Sequence, residues 1–332
     1  MGNVKKYFAS AVTGEGFVNF FNSINFDNTQ FQYILKGGAG TGKSTLMKKV
    51  GAHFEKIGMA VEYFYCSSDP KSLDGVRIVD KGISIVDGTA PHVIEAYLPG
   101  VTHKIINLGE YIFDGVKAHE AEIINLLRKK EKCYSIAYKY QESALKLFEI
   151  NLLIDKNINL SSVNKMLKLA KNIVKNNKIN EKITKNSKKF AKNRKLFIDS
   201  LDNNVNFIKN NFPQITEINL PAADGQIFFK TFVSWLNKRG YNTVSVQNSL
   251  KSSIIDGVFV EEIGQYFQLN LTCSRKVQKA VADNNQLIHS LQDLAARQIK
   301  KAIYYHKRIE KIYYDYINFK ALDWQTEQLI QL

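Results

Sequence analysis

Apolar and polar positions in the first hundred residues follow two alternating rhythms. Short apolar runs at residues 31–35, 61–65 and 83–86 have the length and composition of buried strands. Between the first two runs, residues 44–57 place apolar side chains at steps of three and four, and Gly58 stands where such a helix would stop. Strands that alternate with helices predict an α/β fold with parallel sheets.

The same pattern recurs 182 residues further along the chain. Residues 46–78 align without a gap with residues 228–260, and seven of the 33 pairs are identical. The glycine that stops the helix and an Asp-Gly-Val triplet keep one register, which indicates a repeat rather than scattered identities. We therefore predict two duplicated halves, a first domain over residues 1–190 and a second over residues 191–332.

A long helical pattern follows each predicted half. Apolar and aromatic residues recur at steps of three and four from Ile123 to Phe148 and again from Ala302 to Phe319. Because such stripes pack against another helix, we expect a long helical hairpin on each half. The first hairpin would be an insertion over about residues 116–190, and the second would lie at the C-terminus. The tyrosines of the second stripe could instead stack on nucleic-acid bases.

A glycine-rich stretch joins the first strand to the first helix. Its sequence, Gly37-Gly-Ala-Gly-Thr-Gly-Lys-Ser44, fits the Walker A pattern of a P-loop. Glycines let successive backbone N–H groups approach a phosphate, and the helix N-terminus adds partial positive charge. Lys43 would reach the β- and γ-phosphates of ATP, and the Ser44 hydroxyl would bind Mg²⁺. A glycine-rich turn that only caps a helix is the alternative. The predicted nucleotide-binding residues are Gly37, Gly38, Ala39, Gly40, Thr41, Gly42, Lys43, Ser44 and Thr45.

A P-loop also requires an acidic group for its metal ion. Asp87 ends the apolar run that begins at Ile83, and its carboxylate would hold Mg²⁺ directly or through water. The other interpretation is an ordinary strand end before an Asp-Gly turn. Many hydrolysing P-loop enzymes carry a glutamate after this aspartate, but here Gly88 follows. Either hydrolysis is slow, or another group activates water, or water is not the acceptor.

Two further polar residues follow predicted strands at the same edge of the sheet. Ligands of open α/β sheets bind beyond the carboxyl ends of the strands. Asp69 and His92 could therefore reach the γ-phosphate or an acceptor, and they join Lys43 and Asp87 as catalytic candidates. The plainer alternatives are an Asx-turn at Asp69 and a loop histidine at His92. Asp74, which precedes a glycine, is predicted to lie in a turn.

The second half lacks the glycine-rich loop. At the 182-residue offset, Gly42 corresponds to Asp224, Lys43 to Gly225 and Ser44 to Gln226. The lysine is lost, and a carboxylate near a phosphate would add repulsion. We expect that this half binds no triphosphate and has a structural or regulatory role.

Charge is distributed unevenly along the chain. The formal net charge is +15, and residues 161–195 hold 12 lysines and arginines against one acid, Glu181. A basic stripe can bind nucleic acid, an anionic membrane surface or a protein partner, but a lysine-rich helix face is often only solvated. No apolar run is long enough for a membrane span. Three scattered cysteines argue against disulfides, so we predict a cytoplasmic protein of unknown oligomeric state.

Four stretches of the first half carry a resemblance to a known family. They are Lys36-Gly-Gly-Ala-Gly-Thr-Gly-Lys-Ser-Thr-Leu-Met-Lys-Lys49, Cys66-Ser-Ser-Asp69, Ser72-Leu-Asp-Gly-Val76 and Ile85-Val-Asp-Gly-Thr-Ala-Pro-His92. On these stretches the chain resembles a poorly characterised family of bacterial proteins labelled ATPase or P-loop ATP-binding protein, which are built from two tandem P-loop halves. The resemblance is strongest over residues 31–110. It implies ATP binding by residues 37–45 and a metal-binding acid at Asp87. Members often carry a P-loop in the second half too, and this sequence departs there.

Three functions are compatible with these patterns. The first is a Mg·ATP-binding ATPase that is slow on its own and whose site consists of Lys43, Ser44 and Asp87. The second is a kinase that transfers the γ-phosphoryl group to a small molecule or nucleotide, with Asp69 positioning the acceptor. The third is an ATP-gated protein that binds nucleic acid through residues 161–195.

Overall fold

The computed structural model of the protein describes residues 3–24, 31–90, 93–154, 158–177, 193–200, 207 and 211–332. The strands in this part of the chain are β1 (Val4–Phe8), β2 (Ser10–Thr13), β3 (Gly16–Asn19), β4 (Phe31–Lys36), β5 (Val61–Tyr65), β6 (Leu73–Ile78), β7 (Ile83–Asp87), β8 (His103–Asn107), β9 (Asn193–Leu196), β10 (Gln214–Leu220), β11 (Thr243–Gln247), β12 (Ile255–Val260) and β13 (Gln265–Leu271). The α-helices are α1 (Lys43–Lys56), α2 (Glu120–Ile154), α3 (Leu160–Asn176), α4 (Ala222–Asn237), α5 (Gln278–Tyr314) and α6 (Phe319–Ile330).

The strands form two mixed sheets and one small hairpin. The first sheet has the order β1-β5-β6-β7-β4-β8, the second has the order β10-β13-β12-β11-β9, and β2 pairs with β3. In the large sheets β6 and β12 run antiparallel to both of their neighbours, and the other pairs are parallel. The α/β class is confirmed, but the expectation of parallel sheets is wrong for these two strands. The links on either side of β6 are too short for a crossover helix, so the chain returns by tight connections.

The two sheets pack face to face between layers of helices. One apolar cluster, which includes Leu35 and Val76, fills the space between the first sheet and helices α1 and α6. A second cluster, around Phe232, lies between the second sheet and helices α3 and α4. A third joins Phe64 of the first sheet to Tyr266 of the second. The core is therefore layered as helices, sheet, sheet and helices.

The long helices α2 and α5 pack against each other in antiparallel directions. Near one end of the pair, Arg308 Nη2 lies 3.1 Å from Glu122 Oε1, and near the other, Asn151 Nδ2 donates to Asn285 Oδ1 at 2.9 Å. The shorter helices cross over: α3 packs on α4, and α6 packs on α1. The expected hairpin within each half is therefore wrong, and the last helical stripe is interrupted between Tyr314 and Phe319. An apolar stripe shows that a helix is covered, but it does not identify the partner.

The two sheets share a succession of elements at a constant spacing. Strands β11, β12 and β13 begin 182 residues after β5, β6 and β7. Gly58 and Gly240, also 182 residues apart, have left-handed φ values of 87° and 84°. Where β1 and β9 end, Phe8 and Phe197 exchange two backbone hydrogen bonds of 3.0 and 2.9 Å. This exchange joins the first sheet to the second.

Candidate functional site

The glycine-rich loop, residues 37–42, leads from the end of β4 into α1. Gly40 and Gly42 have φ values of 79° and 88°, a conformation that favours glycine. A Cβ on Gly42 would lie 2.5 Å from Leu322 Cδ2, and one on Gly40 would lie 2.9 Å from the Cα of Glu310. These glycines thus satisfy two demands, a left-handed backbone and close contact with the C-terminal helices.

Lys43 folds back over the loop that precedes it. Its Nζ donates to the carbonyl oxygens of Gly37 and Gly38 at 2.6 and 2.8 Å, and it lies 3.6 Å from Asp87 Oδ2. The Lys43 and Asp87 side chains are only 12% and 15% exposed. The loop, the lysine and the strand-end acid therefore form one compact polar cluster, as the sequence motifs predict.

Ser44 and Asp87 face the same cluster from neighbouring elements. Ser44 Oγ accepts a hydrogen bond of 3.0 Å from the backbone N–H of Leu73, at the start of β6. Asp87 Oδ1 accepts one of 2.8 Å from the N–H of Thr89, whose hydroxyl in turn donates to the Gly37 carbonyl at 2.9 Å. A hydroxyl and a carboxylate are hard oxygen donors that suit Mg²⁺. In the described part of the chain, no group of three or more His, Cys, Asp or Glu side chains could hold a metal ion.

The N-terminus of α1 has no capping side chain. Its N-cap is Gly42, no side chain accepts a hydrogen bond there, and its first turn contains no acid. The first N–H groups of a helix need acceptors and attract anions. A Cβ on Gly88 would lie 2.4 Å from Ile34 Cγ2, so the position after Asp87 has no space for a glutamate.

Asp74 belongs to this cluster, although the sequence predicted it in a turn. It lies buried near the start of β6, between β5 and β7. Burial and, next, the charge of Asp87 raise the pKa of Asp74 to about 8, although Cys66, Ser10 and Lys43 act in the opposite direction. At neutral pH Asp74 is therefore mostly protonated. Its conserved spacing to Asp256 in the repeat was the signal that pointed to it.

The other candidates from the sequence lie in different surroundings. Asp69 Oδ1 accepts a 3.1 Å hydrogen bond from the backbone N–H of Lys71, and its carbonyl accepts one of 2.8 Å from Ser72. It therefore forms the Asx-turn that was the alternative to a catalytic role. Thr45 is exposed in the first turn of α1. His92 lies outside the described residues.

Helices α2 and α5 cover the loop, which sequence reasoning missed. Ala39 packs in an apolar cluster with Leu126 of α2 and Ile309 of α5. Glu310 lies close enough to Lys43 for their charges to interact, and the hydrogen bond from His306 is the main cause that lowers the pKa of Glu310. The stripes on these helices predicted a partner helix, but the partner's identity depends on contacts between residues far apart in the sequence.

The corresponding region of the second sheet has a helical turn in place of the loop. Gln226 exchanges two hydrogen bonds of 2.9 Å with the backbone of Ile255, the tie that Ser44 makes to Leu73 at the same 182-residue offset. Strand β10 ends at Leu220, and only Pro221 separates it from α4. No residues remain there for a glycine-rich loop.

A buried acid occupies the first turn of α4. Both carboxylate oxygens of Asp224 accept the backbone N–H of Asn159, at 3.1 and 3.2 Å, and the side chain is fully buried. Asn159 is the N-cap of α3. An internal carboxylate thus joins the N-termini of two helices that have come together on the second sheet.

The basic segment predicted at residues 161–195 is described only in part, because residues 178–192 lie outside the described ranges. On α3, Lys165, Lys168 and Lys175 are exposed, and the Lys171 ammonium lies 5.6 Å from the ring centroid of Trp235. Its binding to nucleic acid or protein stays a prediction. Among the described residues, no helix combines the length and apolar content that crossing a membrane requires.

Comparisons with known proteins add no relative to this geometry. No family model, curated protein or solved structure matches the chain. The resemblance to the tandem bacterial ATPases therefore stays a prediction.

Proposed function

We propose that the chain binds Mg·ATP at residues 37–45 and hydrolyses it slowly. The observation that carries this proposal is the cluster in which the loop, Lys43 and Asp87 meet at the uncapped N-terminus of α1. A helix end, a lysine and inward-facing backbone amides together form a phosphate-binding arrangement. The combination is more specific than any one of its parts.

Each residue has a role in this proposal. Lys43 would exchange its contacts with the Gly37 and Gly38 carbonyls for phosphate oxygens, which are stronger partners for an ammonium. Ser44 and Asp87 would hold Mg²⁺ together with phosphate and water oxygens. The metal ion would neutralise charge on the transferred phosphoryl group.

Slow turnover follows from the absence of an evident base. Gly88 has no space for a glutamate, and Asp74 is mostly protonated at neutral pH. The same facts favour the second candidate, transfer of the γ-phosphoryl group to the hydroxyl of a small molecule or nucleotide.

We further infer that the two halves descend from one duplicated P-loop-type unit. The support is the 182-residue spacing shared by three strands, two left-handed glycines and the ties made by Ser44 and Gln226. Because α4 begins where the loop would lie, we propose that the second half binds no nucleotide.

Phosphate release from Mg·ATP by the purified chain tests the proposed activity. We expect Lys43→Ala to lower the rate by about 100-fold or more, the typical cost of removing one preorganised group that stabilises developing charge. Lys56→Ala, at the exposed end of the same helix, is the matched control and should match the wild type. ATP binding without release would favour the kinase, and a screen of acceptors would follow. Absence of ATP binding would refute the proposal.

A further inference from the structure

Helix α2 presents one continuous face to the glycine-rich loop. Leu126 packs in the cluster that contains Ala39 of the loop. Two turns further along, Tyr134 hydrogen-bonds with Ser68, which follows β5. Residues four apart on a helix lie on the same face. Lys130 lies midway between Leu126 and Tyr134, and it therefore faces the space between the loop and the end of β5.

The surroundings of Lys130 are unusual for a lysine. Its side chain is half-buried, whereas Lys129 and Lys132 on the same helix are exposed. In the described part of the chain it forms no hydrogen bond and no ion pair, whereas Lys139 and Lys146 pair with acids one turn away. Burial lowers the pKa of Lys130, and the charge of Lys43 lowers it further, although Glu131 opposes this change.

Such an arrangement is unfavourable in isolation. A desolvated ammonium without a partner costs free energy, and a second ammonium nearby increases that cost. An anion between Lys43 and Lys130 would relieve both. The terminal phosphate of a nucleotide held by residues 37–45 is an anion with the required charge and position.

We propose that Lys130 is a second phosphate-binding residue of this site, which contacts the γ-phosphate from α2 and stabilises the charge that develops on it during transfer. This inference rests on the proposed function. It gives α2 the role that a cationic finger has in other phosphoryl-transfer sites. It also restricts the substrate class to nucleoside triphosphates, because a diphosphate has no γ-phosphate for Lys130.

The test compares Lys130→Met, Lys130→Arg and the control Lys132→Met in phosphate release and in binding of ATP and ADP. For Lys130→Met we expect kcat to fall on the order of 10²–10³-fold, the range for loss of one preorganised donor. ATP binding should weaken while ADP binding stays unchanged. Lys130→Arg should recover part of the activity, and Lys132→Met should match the wild type.

Thermal unfolding separates this role from a structural one. Because Lys130 has no partner, Lys130→Met should unfold at the wild-type temperature or above it without nucleotide. If Lys130→Met keeps turnover and the preference for ATP over ADP while Lys43→Ala loses turnover, the proposal for Lys130 fails and the proposed function stands. If the wild type binds neither nucleotide, both fail. If ATP is bound but not hydrolysed, the ratio of ATP to ADP affinity decides the role of Lys130.

Discussion

The two sheets of this protein use the same scaffold for different ends. In the first, six loop residues separate β4 from α1, and Lys43 folds over them. In the second, only Pro221 separates β10 from α4, and a buried Asp224 stands in the first turn. Ser44 and Gln226 nevertheless tie their helices to equivalent strands. The scaffold thus persists although the phosphate-binding geometry is lost, because the loop and the strand–helix packing involve different residues.

The sheets also differ at the seam where they meet. Arg194 on β9 places two nitrogens on the Glu62 carboxylate of β5 at 2.7 and 2.6 Å, and it also reaches Glu261 at 2.9 Å. Arg77 adds a 3.1 Å contact to Glu62. Although burial raises the pKa of Glu62, Arg194 and Arg77 lower it to about 2. On β1, the strand of the first sheet that meets β9, Lys5 instead lies 4.6 Å from the ring centroid of Phe259. One half thus supplies a buried ion pair and the other a cation–π contact.

The largest expected effect comes from breaking this seam. Arg194→Met leaves Glu62 buried with Arg77 as its remaining close cation. Removing one partner of a buried ion pair typically costs about 3–5 kcal/mol of unfolding free energy. Urea unfolding at neutral pH measures the loss. Lys5→Met is the comparison at the other half, and it should cost about 1 kcal/mol because a cation–π contact is weaker. Equal losses in the two variants would show that the seam is energetically symmetric and contradict our interpretation.

A smaller effect is expected from the acid that replaces the loop. Asp224→Ala removes the acceptor of the Asn159 N–H, and leaving a buried donor unsatisfied costs about 1–3 kcal/mol. We predict that this variant still binds one nucleotide per chain, since the loop itself is absent from the second half. Calorimetric stoichiometry measures this, with the exposed Asp323→Ala as a control for lost charge. A second bound nucleotide would mean that Asp224 alone closes the site.

The smallest effect concerns pH. Burial is the main cause that raises the pKa of Asp256 to about 7, above its usual 3.8, so the folded state holds this proton more tightly than the unfolded state. Its contribution to stability is therefore complete below about pH 4 and is lost as the pH rises towards 7. Asp256→Asn keeps an acceptor for Asn248, which lies 3.1 and 3.2 Å from the two carboxylate oxygens.

We expect this variant to match the wild type at pH 5 and to be the more stable protein at pH 8. Urea unfolding at the two pH values measures the difference. An identical pH dependence in both proteins would contradict the raised pKa. In the first half, Asp74 stands at the same position, so the comparison also shows which part of the pH dependence arises outside the proposed nucleotide site.

Local features of the fold were predictable from the sequence. The loop, α1 and the flanking strands depend on neighbouring residues, namely glycines that accept left-handed φ values and apolar side chains at a regular period. For the same reason Lys43, Ser44 and Asp87 were predicted as one cluster, and the structure places Lys43 beside Asp87. Strand β6 was missed because Asp74 and Gly75 have the composition of a turn, and sheet pairing overrode that preference.

The sequence by itself determined where the strands and helices lie, where the loop stands and how far apart the two halves repeat, because these depend on local periodicity and backbone conformation. Only the tertiary structure decided that α2 pairs with α5, that α3 and α6 cross to the opposite sheets, and that Lys130 and Asp74 face the loop. Apolar stripes are interchangeable as partners, so these contacts follow from the packing of the whole chain. The same packing raises the pKa of Asp74 and lowers that of Lys130, because it removes both groups from water.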